Sequence, residues 1–182
     1  AGGQVESSAL SVSRWGRVLP HHEVVQVAQS ISAVSSVAGA FRREMLEETG
    51  GFDPTLVGEL CDADLCVRAL LLGYRSMRVD GPGFDVGADV ALLTFERDGG
   101  AREELRAWAR GRVRMVLRSL PREALQGAGT QVFIEALADL YRASRDRHHP
   151  DAILRGFLDG LAESRSALDE RRKTLGRRRV GE

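Results

Sequence analysis

An α/β fold over residues 1–100, followed by a helical region with a basic tail over 101–182, is what this sequence predicts. Short runs rich in β-branched residues alternate with helical patterns in the first part. From Ala101 onward apolar residues recur only at helical spacing. The first part holds too few strands for a complete doubly wound sheet, so it reads as half of a domain.

Residues Ala1 to Ser30 carry Gly2-Gly3, Gly16 and Pro20 as breakers and read as loop with short strand pieces. "ISAVSSVAGAF" (Ile31–Phe41) is small and β-branched and predicts a buried strand. "RREMLEETGG" (Arg42–Gly51) predicts a short helix closed by glycine. After the Phe52-Asp53-Pro54 turn, a second helix is expected over Asp62–Leu72. Leu65, Ala69 and Leu72 share one face of it, and Gly73 stops it. "YRSMRV" (Tyr74–Val79) alternates as a strand does, and "DGPG" (Asp80–Gly83) breaks it.

In the helical part, Leu105, Trp108, Val113, Val116, Leu117 and Leu120 mark one helix, which Pro121 ends or kinks. A second is expected over Thr130–Ser144, with Phe133, Leu137, Leu140 and Tyr141 facing inward. "HHPD" (His148–Asp151) is loop and cap for a third, carrying Leu154, Phe157, Leu158 and Leu161. The end, "RRKTLGRRRVGE", reads as frayed.

The chain of 182 residues is long enough to bury a real core. Lys+Arg and Asp+Glu balance at 26 each, so no global bias points to nucleic acid or to a membrane. Arginine is nevertheless dense over Arg102–Arg118 and Arg165–Arg179. Arg110, Arg114 and Arg118 lie opposite much of the apolar arc of their helix, a pattern that suits the inner face of an anionic membrane. Arg112 intrudes beside Leu105 and Trp108, and packing of the apolar face on the rest of the chain explains the same pattern. The basic end lacks the interleaved aromatics of a nucleic-acid module.

Two cysteines make no disulfide framework, and Cys61 and Cys66 lie about 140° apart on a helix, so they do not converge on one ligand. A reducing, cytoplasmic location is the simpler expectation. No signal-peptide pattern is present, nor an apolar run of bilayer-spanning length. The start at Ala1 rather than Met suggests that an N-terminal half is missing. The pairs His21-His22 and His148-His149 read as surface loop, because neighbouring side chains diverge. Ser35-Ser36 has no nucleophile elbow around it, and there is no phosphate loop.

The chemistry-bearing stretch is "GGFDPTLVGELCDADLCVRALLLGY" (Gly50–Tyr74). On spacing alone Asp62 is a helix N-cap and Asp64 a first-turn acid that suits the helix dipole. The context carries more. Gly50, Gly51, Phe52 and Asp53, then Asp62, Asp64, Leu65 and Arg68, then Gly73 and Tyr74 stand in an order that resembles the acceptor half of family 2 glycosyltransferases. These are inverting enzymes with the GT-A fold. The resemblance is clearest over Val34–Pro82, and "ILRGFLDGL" (Ile153–Leu161) resembles the helical region of rhamnosyltransferase-like members.

The resemblance implies a partial GT-A-like half-domain over 1–100. It also implies transfer of a sugar from a nucleotide-diphospho donor to a glycan or lipid-linked acceptor hydroxyl, in cell-envelope or polysaccharide synthesis. Asp62 matches the general base. Gly39, Ala40, Arg42, Asp64 and Arg68 would bind acceptor or substrate. A divalent metal, Mg or Mn, is expected in the whole enzyme, with Asp85 as a weak ligand in "GPGFDVG". Cys61 stands where the family has glutamate, Gly87 where it often has histidine, and no upstream D-x-D precedes the motif. The other function class is a non-catalytic remnant or interaction module that docks through its helices on a membrane or a partner chain. A half-sheet with an uncovered face also predicts a homo-oligomer or a missing partner half.

Overall fold

The structure, a computed structural model, describes residues 9–12, 18–20, 31–34, 39–76, 101–120, 122–145 and 149–176. The framework of the described residues is six α-helices: α1 (Arg43–Thr49), α2 (Glu59–Leu71), α3 (Ala101–Ser119), α4 (Arg122–Arg145), α5 (Pro150–Ala162) and α6 (Ser164–Leu175). Three short strands, β1 (Ala9–Val12), β2 (Val18–Pro20) and β3 (Ile31–Val34), pair antiparallel in the order β2-β1-β3.

This corrects the expected α/β class and its GT-A-like half-domain. Such a domain is a parallel sheet wound by crossover helices. Among the described residues every strand pairing is antiparallel, the strands are three or four residues long, and helices carry the packing. Of the Ile31–Phe41 run only Ile31–Val34 is strand. Of the expected Tyr74–Val79 strand, Tyr74–Ser76 is irregular and the rest lies outside the described residues.

The centre of the fold is α2. Ten of its residues are buried, on every side of the helix, which is what a helix enclosed by neighbours shows. Leu60, Ala63, Cys66, Val67 and Leu71 join Val12 and Ala33 from the strands, Leu56, and Met115 from α3 in one core cluster. Leu65 and Ala69 pack with Met45 of α1 in a second. In a third, Ala109 of α3 meets Ile153 of α5, with Leu105, Trp108, Leu140 and Phe157 around them.

α1 ends as the sequence predicts. Gly50 takes the left-handed conformation at φ 81°, and the Gly51 N–H donates to Leu46 O at 2.8 Å. α2 begins a turn earlier than expected, after Gly58 at φ 55°, a backbone value that favours glycine. Asp62 is therefore inside the first turn and is not the N-cap. α3 stops at Ser119, ahead of Pro121.

α5 opens with Pro150 in its first turn, where the missing N–H costs nothing. It packs unusually close to α3. A Cβ on Gly156 would lie 2.8 Å from the Ala109 Cβ, and one on Gly160 2.7 Å from the Val113 Cβ. The four-residue glycine spacing gives α5 a flat strip against α3. Of the end expected to fray, residues 177–182 lie outside the described residues, and 171–175 is helix instead, since α6 runs to Leu175. Its buried Arg171 donates to the carbonyls of Leu117 (3.1 Å) and Leu120 (2.7 Å), satisfying the end of α3. Phe133, Leu137, Tyr141, Leu154, Leu158 and Leu161, several of them expected inside, are exposed.

Candidate functional site

Asp62 sits in the first turn of α2 with 4% of its surface exposed. Its Oδ1 is buried and has no hydrogen-bond partner among the described residues. The helix start does not need it. The Leu60 and Cys61 N–H groups already bond back to Val57 O (3.3 Å) and Gly58 O (3.1 Å). A carboxylate oxygen left bare in the interior is costly, and the positive end of the helix dipole offsets only part of that cost.

The neighbouring acids are in the opposite condition. Asp64 is fully buried and accepts from Arg68 Nε at 2.8 Å and from the Ser119 hydroxyl. Arg68, 1% exposed, donates onward to Thr49 O at 2.6 Å and Gly51 O at 2.8 Å. Asp64 and Arg68 were expected to meet substrate. The structure instead gives them to each other, as a clamp that fixes the Gly50-Gly51 turn to α2 and α2 to α3.

Asp53 is a third buried acid, and the sequence did not single it out for this role. Its Oδ1 accepts from the Thr55 N–H (2.9 Å) and hydroxyl (2.7 Å), an Asx-turn. Its Oδ2 accepts from Arg114 Nε at 3.1 Å and from Arg118. Burial pushes this carboxyl up, but the bonds from Thr55 and Arg114 and the Arg114 charge outweigh it and hold it at about 2. The Cys61 thiol next to Asp62 is pushed up to about 11, by burial first and then by the charges of Asp62, Asp53 and Asp64. It donates to Leu56 O at 2.9 Å.

Gly39, Ala40 and Arg42 lie in the irregular segment that leads into α1. Ala40 and Arg42 are exposed and Gly39 half-buried, and Arg42 is the extended N-cap of α1. Phe41 between them packs on the core and stands edge-on to Phe52, ring centroids 5.6 Å apart. Asp85 lies outside the described residues. Among the described residues no group of three or more His, Cys, Asp and Glu could hold a metal ion. Asp53 and Asp64 are given over to arginines.

No family model, curated protein or solved structure matches this chain. What can be said of its function rests on the chemistry of the residues themselves.

The arginine-dense helix resolves into an internal ladder. Arg102, Arg106, Arg110 and Arg114 of α3 pair with Asp151, Asp159, Glu163 and Glu170 along α5 and α6. Arg114 grips both oxygens of Glu170, at 2.8 and 2.9 Å. Arg118 joins the same cluster through Asp53 and Glu170. Arg112, on the other side, is buried against Asp139 with its guanidinium 5.5 Å from the Trp108 ring centroid. The signal was present as arginine at every fourth position from Arg102 to Arg118. No described helix is long and apolar enough to cross a membrane.

Proposed function

We propose that this chain is the acceptor-side part of an inverting glycosyltransferase, with Asp62 as its general base. One observation carries the reading. Among the described residues, Asp62 alone of the three buried aspartates around α2 keeps a buried oxygen without a hydrogen-bond donor, and it does not cap its helix. A bare buried carboxylate oxygen calls for an explanation, and a catalytic role supplies one.

In the reaction proposed, the acceptor hydroxyl oxygen attacks the anomeric carbon of a nucleotide-diphospho sugar. Its proton passes to Asp62 as the new C–O bond forms. The bond from the anomeric carbon to the diphosphate breaks on the opposite face, the configuration inverts, and a nucleoside diphosphate leaves. Positioning of the three parties supplies much of the rate. Asp53, Asp64 and Arg68 do not react; they hold the Gly50-Gly51 turn and α2 in place. The ordered motif from Gly50 to Tyr74 supports this reading, which does not depend on a GT-A sheet. Donor binding and any divalent metal belong to the whole protein.

The test is acceptor-dependent release of nucleoside diphosphate from a panel of nucleotide sugars by the whole protein. Asp62→Asn should abolish release while helix content stays unchanged. Near-normal turnover in that variant would remove Asp62 from the reaction.

A second reading, a non-catalytic interaction module, is favoured by the apolar residues left exposed on α4 and α5. The reading frame upstream of Ala1 separates the two. A nucleotide-binding strand–loop and a D-x-D there support the enzyme; a start codon just before Ala1 supports the module.

A further inference from the structure

We infer that the outward faces of α4 and α5 form a docking surface for an anionic lipid bilayer. Phe133, Ile134, Leu137 and Tyr141 on α4 and Leu154, Leu158 and Leu161 on α5 are between 49% and 68% exposed, except Leu154 at 47%. Their spacing puts each set on one helix face. The two helices are neighbours, and both turn other apolar residues inward: Leu140, Ile153 and Phe157 pack with Leu105, Trp108 and Ala109 of α3. The exposed sets therefore lie on the sides turned away from α3. Isolated exposed leucines are ordinary on a protein surface, but seven large apolar side chains on two adjacent helices are not.

Charge identifies the partner. Among the described side chains of α4 and α5, each acid is already answered: Glu135 and Asp139 by Arg112, Asp151 by Arg102 and Asp159 by Arg106. Arg145 and Arg155 are exposed; Arg155 stands within reach of the charges of Asp151 and Asp159, which Arg102 and Arg106 already bond, so cations are in excess there. An apolar face whose surplus charge is cationic matches acyl chains below and anionic headgroups at the rim. Tyr141, with its apolar ring and polar tip, suits the same boundary. The basic helix that the sequence pointed toward a membrane, α3, is excluded from this role because its arginines are engaged within the chain.

The inference is independent of Asp62, and cosedimentation with vesicles tests it. The probes are phosphatidylcholine vesicles with and without phosphatidylglycerol. The chain should bind the phosphatidylglycerol vesicles, and added salt should weaken binding. Leu154→Gln with Leu158→Gln should lower partitioning about tenfold or more, by removing buried apolar surface. Arg145→Gln with Arg155→Gln should weaken binding to the anionic vesicles several-fold and leave helix content unchanged by circular dichroism. Absence of binding, equal binding to both vesicle types, or undiminished binding in the leucine variant would overturn it. So would a dimer in sedimentation velocity that the leucine substitutions dissolve while vesicles are ignored, since a second copy would then cover the face.

Discussion

Asp62 and Asp64 stand two residues apart on α2, both buried, and the helix turns them about 200° from each other. Asp64 faces Arg68 and Ser119, which answer its charge. Asp62 keeps a buried oxygen that no described donor reaches. Sequence spacing cannot separate two such aspartates. Their surroundings do, and they divide a structural carboxylate from a candidate chemical one.

Asp53 makes stability depend on acid. Its folded-state pKa is lowered from 3.8 to about 2, so its contribution is present above the unfolded value and is lost as pH falls through about 2. Urea unfolding followed between pH 5 and pH 2 should show stability declining in that window. Asp53→Asn should be less stable at pH 7 and should show a shallower decline.

Cys61 reports on the charge next door. With its thiol held at about 11, alkylation by iodoacetamide should be slow at neutral pH and rise only in strong base. Asp62→Asn removes one of the charges that raise it, so the alkylation profile should move to lower pH. The shift is read by mass spectrometry of the Cys61 peptide.

Gly156 and Gly160 should tolerate nothing larger. Gly→Ala inside a helix ordinarily stabilises by up to about 1 kcal/mol. Here the added methyl meets α3 at under 3 Å, so each substitution should cost about 1–3 kcal/mol, seen as a lower thermal midpoint.

Arg114 joins two acids from different parts of the chain, Asp53 and Glu170, and is largely buried. Arg114→Gln should destabilise by roughly 1–3 kcal/mol, because Asp53 and Glu170 each lose one of their two arginines and keep Arg118. The exposed rungs at Arg102 and Asp151 should matter far less when neutralised, and less still in high salt. Chemical denaturation of the two sets of variants makes the comparison.

Local signals survived the passage from sequence to structure where a single residue decides the geometry. Gly50 closed α1, Pro121 marked the end of α3 and Pro150 opened α5. The α/β class did not survive, because β-branched runs such as Ile31–Phe41 become strands only when a neighbour pairs with them. The role of α3 was hidden for a different reason. Its arginines find their acids about fifty positions away, beyond any periodicity within one helix. Leucine spacing on α4 and α5 was legible, but which of two apolar arcs faces inward depends on what lies opposite. Arg68 looked like a substrate cation and became a clamp because Asp64, one turn back, was waiting for it.

The most direct test of the central claim is the urea-unfolding free energy of Asp62→Asn beside that of Asp64→Asn. If Asp62 is held for chemistry, its neutral replacement should leave stability unchanged or raise it by up to about 1 kcal/mol, as removal of an unanswered buried charge does. Asp64→Asn should lose about 3 kcal/mol by stranding Arg68. A comparable loss in both variants would make Asp62 a structural residue and contradict the account.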